Sequence, residues 1–223
     1  MNILLQIVET PAVVEASQEL SIASLLWKGG VVMIPILLLS LITVYVFIER
    51  FLYIRSVTKG KKDLMVHVKN RLHQGDIKGA RLYAEQESSA TGRIILSGLE
   101  QVGKPIKDIE TMMESSANIE VAEMEKNTGY LGIIASIAPM VGFIGTISGV
   151  IRIFYNISLS DNISIGIISG GLYEKMITSG AGLIVGVLAY AGYHYLHLKI
   201  QRFTLQVQKD AYEFMRSILS PAS

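Results

Sequence analysis

Apolar residues along this chain are gathered into three long runs rather than spread in amphipathic stripes. Gly29 to Ile48 and Asn127 to Ile151 carry no charge, and Met176 to Leu198 carries none apart from His194 and His197. At about 1.5 Å of rise per helical residue, each run is long enough to cross about 30 Å of hydrocarbon. The pattern predicts an all-α integral membrane protein with transmembrane helices at 29–49, 127–155 and 172–198. Residues 50–126 read as a helical domain. Turn residues interrupt it at Gly75-Asp76, Ser88 to Thr91 and Gly103-Lys104, and no alternating β-branched stretch suggests a strand. Pro105 fits a first helical turn, where its missing N–H costs nothing, and the next proline is Pro139. A continuous helix is therefore expected from Pro105 to about Tyr155, roughly 75 Å long and so reaching well outside the bilayer. The third run is expected to continue as a helix through Lys199, Arg202 and Lys209 to Arg216.

Composition agrees with lipid as the solvent, since 50% of residues are hydrophobic and 17% charged. The net charge of +1 and the lack of a basic face interleaved with aromatics argue against nucleic acid. Lys and Arg number one before the first run, thirteen between Arg50 and Lys126, two between Arg152 and Lys175, and four after the third. By the positive-inside rule, 50–126 and the C-terminal helix 199–223 are cytoplasmic, and the N-terminal segment 1–28 and the connection 156–171 lie outside. Trp27, Phe51, Tyr53, Tyr130, Phe154, Tyr155 and Tyr195 fall near the predicted span ends, where amphipathic rings prefer to sit. Residues 1–28 lack the basic start and cleavage site of a signal peptide, and Glu9, Glu15 and Glu19 oppose that reading. The absence of cysteine rules out disulfides and cysteine-ligated metal.

Polar groups within the runs are few. Thr146 and Ser148 sit among Gly142, Gly145 and Gly149, while Glu174, Thr178 and Ser179 precede Gly180, Gly182 and Gly186. Gly145 to Gly149 and Gly182 to Gly186 are GxxxG spacings, which let helices approach closely, and the hydroxyls can serve that packing alone. Alternatively they line a path. Counted from the outer span ends, Thr146 and Ser179 lie at nearly the same depth and would form a polar ring in an oligomer. Thr178 shares a face with Glu174, and Ser179 does not. Glu174 is the only acid near the middle of a long apolar stretch; either it is functional, or with Lys175 it marks the outer interface. His194 and His197 share a helix face without an accompanying carboxylate or cysteine, which favours an interfacial pair over a metal site. The acids Asp108, Glu110, Glu114, Glu120, Glu123 and Glu125 make either a solvated face or, repeated around an oligomer, an acidic cytoplasmic vestibule. No nucleophile with its base, P-loop or dinucleotide fingerprint is present, so no enzymatic activity is predicted and no cofactor is expected.

Three strings, GGVVMIPILLLS followed by Ile48-Glu49-Arg50, IASIAPMVGFIGTISGVIRIF and GGLYEKMITSGAGLIVG, resemble the ExbB/TolQ/MotA proton-channel family, and ExbB most of all. The resemblance runs from about Gly29 to Tyr193, and AP-x-x-G-x-x-GT-x-x-G in the second run is its most specific motif. It implies a homopentamer whose second and third spans surround two copies of an ExbD-like single-span partner, an aspartate of which carries the proton. It places the pore threonine of the second span at Thr146, that of the third at Ser179, the family glutamate at Glu174 and the motif proline, with its kink, at Pro139. Leu188 stands where the family commonly has proline, and His194 where asparagine often follows the tyrosine. The implied function is a proton-channel subunit of a bacterial inner-membrane motor that drives a TonB-like protein for outer-membrane transport. A TolQ-like or gliding-motor subunit shares that ion chemistry with a different load, a flagellar stator needs a fourth span, and a non-conducting membrane scaffold is the alternative of another class.

Overall fold

The computed structural model describes residues 29–61, 63–159 and 165–219, the side chains of Ile167 and Glu174 excepted. Residues 1–28, and with them Trp27, lie outside the described residues, as do residues 160–164 of the connection around Asp161. Among the described residues every regular element is a helix: α1 (Met33–Val57), α2 (Leu64–His73), α3 (Ile77–Glu85), α4 (Ala90–Leu99), α5 (Ile106–Glu125), α6 (Thr128–Ser158) and α7 (Ile165–Leu219). The apolar runs fall on α1, α6 and α7, each long and apolar enough to cross a membrane.

Local chemistry sets the boundaries of the short helices. Asp76 accepts a hydrogen bond from the Gly79 N–H at 2.8 Å and Ser89 one from the Gly92 N–H at 3.2 Å, each capping donors that the first turn leaves unpaired. Gly75 and Gly103 adopt φ of 73° and 101°, conformations open to glycine, at the two turns that flank this region.

The expected unbroken helix from Pro105 to Tyr155 is interrupted. Asn127 takes a left-handed conformation at φ 63°, one that asparagine tolerates better than most side chains, and it separates α5 from α6. The break falls where a charged helix gives way to an apolar one. Arg50, buried in the C-terminal half of α1, secures it by donating from Nη1 to the Glu123 carbonyl at 3.1 Å, while its other nitrogens engage the Glu49 carboxylate. One of the carbonyls that the end of α5 leaves without a helical partner thus gains a cationic donor. By contrast α7 runs for 55 residues without a break, straight past Leu188.

Two cores hold the protomer together. The larger lies in the polar helical domain and its junction with the spans, and includes Ile94, Ile95, Ile109, Met113, Met124, Leu196, Ile200 and Phe214. The smaller lies between the spans and comprises Met33, Ile36, Ile134, Ala138, Val185 and Ala189. It is small because the helices meet through small residues and leave the large ones outside. Leu41 is 72% exposed, Ile144 61% and Val187 65%. A continuous apolar surface of this extent needs lipid or further protein around it.

Candidate site in the paired transmembrane helices

The site is built on the antiparallel pair α6 and α7, whose register is fixed by glycine. A Cβ on Gly182 would lie 2.6 Å from the Ala138 carbonyl oxygen and 3.1 Å from the Gly142 Cα, so only glycine lets the backbones approach there. A Cβ on Gly142 would lie 3.2 Å from the Ser179 Cα. One on Gly186 would meet the Pro139 ring at 2.6 Å and the Ala135 carbonyl at 3.1 Å, the carbonyl whose helical donor proline removes. Pro139 therefore packs into a space that Gly186 leaves, and α6 continues through it. Gly145 makes room for the Thr178 methyl and for Val32, and Gly149 for the Lys175 side chain.

This register places the hydroxyls. Thr146 is half-buried, and its Oγ1 lies 3.3 Å from both the Gly142 carbonyl on its own helix and the Lys175 carbonyl on α7. Ser179 is half-buried beside Gly142. Since Thr146 stands opposite Lys175 and Ser179 opposite Gly142, the two hydroxyls sit one turn apart, about 6 Å along the axis, rather than at one depth. Counting residues from the span ends missed this offset because glycine contacts, not span ends, set the register. Thr178 is wholly buried inside the protomer, where its hydroxyl donates to the Gly29 carbonyl at 2.9 Å and joins α7 to the start of α1. The side chain of Glu174 lies outside the described residues. Ser148 is spent on its own helix, donating to the Gly145 carbonyl at 3.0 Å.

Of the six acids named for a vestibule, Glu114, Glu120 and Glu123 have separate surroundings. Glu114 is exposed and borders a groove between α5 and α7 that also contains Met113, Phe203 and Tyr212. Glu120 receives a two-pronged ion pair from Arg93 on α4, whose guanidinium is pushed above its ordinary pKa chiefly by that hydrogen bond. Glu123 pairs with Lys126 at 3.6 Å, at the α5–α6 break. Sequence spacing grouped them on one helix; the partners that separate them come from α4 and from the break.

A sequence model of the MotA/TolQ/ExbB proton channel family matches residues 86–209, more than half of the chain, and takes in α6 and α7 as far as residue 209. The chain is 28% identical over 165 residues to the putative biopolymer transport protein ExbB-like 1 of Synechocystis, covering 73% of this chain and 65% of that protein. It is 28% identical over 190 residues to the biopolymer transport protein exbB1 of Vibrio cholerae, with 82% of each chain covered. Against the Tol-Pal system protein TolQ of Haemophilus influenzae the match is 26% over 95 residues, or 43% of this chain and 42% of that one. The chain thus spans slightly less than two thirds of the Synechocystis relative's own length.

Proposed function

Because this chain belongs to the MotA/TolQ/ExbB proton channel family, we propose that it is a channel subunit of a bacterial inner-membrane motor, in which several copies surround a single-span partner. The observation that carries this reading is the pair of half-buried hydroxyls, Thr146 and Ser179, on two glycine-packed helices that are otherwise almost wholly apolar. On this reading the polar helical domain is cytoplasmic and the assembly is a pentamer around two ExbD-like chains. A partner carboxyl entering such a passage has its pKa raised by desolvation and takes up a proton from the outer side. The hydroxyl of Thr146, then that of Ser179 one turn further in, hydrogen-bonds the carboxyl as it is charged and discharged. Alternate charging biases the orientation of the partner within the ring, which is how ion flow becomes mechanical work. The resemblance to ExbB, with relatives named for biopolymer transport, supports a load that reaches the outer membrane through a TonB-like protein. Similarity to a TolQ supports a second reading with the same ion chemistry and a load in the cell envelope.

The test is proton flux into vesicles containing the complex isolated through a tag on this chain. Thr146→Val, which keeps the shape and removes the hydroxyl, is expected to lower flux at least about tenfold, the scale on which a lost hydrogen bond to a charged group acts. Thr146→Ser is expected to retain it. Equal flux through the valine variant and the natural protein contradicts the proposal.

A further inference from the structure

Below the hydroxyls, α7 carries a run of rings that the proton path described above does not use. His194 lies 4.2 Å from the Tyr190 ring and 5.3 Å from the Tyr193 ring, centroid to centroid, and Tyr193 stacks on His197 at 6.1 Å with 15° between planes. The four rings form an unbroken ladder over two turns at the inner end of the apolar run, just before Lys199 and Arg202.

The ladder shares a face with Ser179. His197 is eighteen residues beyond Ser179, which at about 3.6 residues per turn is a whole number of turns, so the two lie on one line along the helix. By the same arithmetic Tyr190, Tyr193 and His194 fall within about 60° of that line. Tyr195 points the other way and packs on Phe47 and Phe51 of α1 at 6.3 and 6.2 Å. Thus α1 covers the opposite side of α7, and the ladder side is left to α6 and to neighbouring copies. Tyr193 lies over Gly132 of α6, whose missing side chain gives the ring space. His194 and Tyr190 are exposed in the isolated protomer, and His197 is half-buried. From Ser179 to His197 the face is about 27 Å long, close to the thickness of the hydrocarbon layer. Leu183 and Gly186 fill the stretch between hydroxyl and rings.

We propose that the Tyr190–Tyr193–His194–His197 ladder is the inner proton exit of the channel, receiving protons from the partner carboxyl and passing them to the cytoplasm. The inference rests on the channel reading above. Imidazole is the side-chain type that changes charge between about pH 5 and 8, and it has two nitrogens. A proton is taken on one ring nitrogen, the opposite nitrogen releases its own toward the cytoplasmic side, and the ring ends neutral as it began. Water carries the proton from the carboxyl past Leu183 and Gly186 to His194, and from His194 to His197 three residues on, while the Tyr190 and Tyr193 rings hold the two imidazoles in place. By register with the Phe47–Tyr195 and Gly132–Tyr193 contacts, the ionisable groups nearest this level are Tyr195 and Lys199 on α7, Tyr130 on α6, Glu123, Glu125 and Lys126 at the α5–α6 break, and Tyr45, Glu49 and Arg50 on α1. Arg50 engages Glu49 and the Glu123 carbonyl, and Lys199 lies over the Tyr195 ring at 5.7 Å, so both are directed to other partners.

The test compares the tagged complex with its His194→Gln/His197→Gln variant in vesicles holding a pH-sensitive dye, over about pH 5 to 8 on the cytoplasmic side. Expected are a fall in flux of at least about tenfold, a flattened pH profile, and recovery when millimolar imidazole is added on that side. Flux and profile equal to those of the natural complex overturn the ladder. Reduced flux with an unchanged profile and no recovery also overturns it, by showing a packing role. If the double variant fails to assemble, His197→Gln alone is read in the same way. A natural complex that carries no protons overturns the channel reading and the ladder together, whereas a conducting natural complex confines a negative result to the ladder.

Discussion

Asp210 shows how one residue couples this helical protein to pH. It lies past the apolar part of α7, beside a cavity lined also by Thr58, Lys61, Thr91 and Gln206. Burial pushes its carboxyl above the ordinary carboxylate range, the Gln206 amide at 3.0 Å works against the shift, and Glu213 adds to it. A carboxyl with a higher pKa folded than unfolded binds more protons in the native state. Its contribution to stability is therefore fully present below the unfolded value of about 3.8 and is lost as pH rises through the native one. Asp210→Asn should melt at a higher temperature than the natural protein at neutral pH, with the gap closing as the pH falls toward about 4. Melting curves in detergent across that range check this, and a gap that widens on acidification contradicts it. Asp210 attracts no notice in the sequence, because its burial comes from α2 and α4, far along the chain. Thr178 is similar: its spacing from Glu174 was readable, but its bond to Gly29 joins positions that only folding brings together.

Among the elements, α6 and α7 show which glycines matter and which do not. Gly182 leaves no room for a methyl group beside the Ala138 carbonyl, whereas nothing lies within 4 Å of a Cβ placed on Gly180. Gly182→Ala should cost about 1–3 kcal/mol through overpacking of a tight contact. Gly180→Ala, free of any clash, should be neutral or gain up to about 1 kcal/mol from helix propensity. Denaturation of the two variants side by side measures the contrast, and equal effects would contradict the register described here. The spans, the all-helical class and the three turn regions were legible because hydrophobic run length and turn residues are local signals. What escaped was the relation between elements. The break at Asn127 escaped because a single asparagine, though a weak helix former, does not by itself end a helix, and its stabilisation by Arg50 comes from α1. The one-turn offset of Thr146 and Ser179 is a matter of packing register, which a single chain's spacing does not encode.

At the scale of the whole molecule, the protomer is incomplete in two respects. Its spans meet through small side chains and turn large apolar ones outward, and its ring ladder lies on the side of α7 away from α1. Lipid satisfies the first condition; on the function proposed above, further copies of the chain and a guest helix satisfy the second. The charged domain is tied together by Arg93 on Glu120 and to α1 by Arg50 at the end of α5. The mass of the intact complex, drawn from native membranes through a tag on this chain, tests this most directly. The account predicts five copies of the chain together with two copies of a single-span protein that carries an aspartate within its span. A lone copy, or a ring containing no such carboxylate-bearing guest, would contradict it.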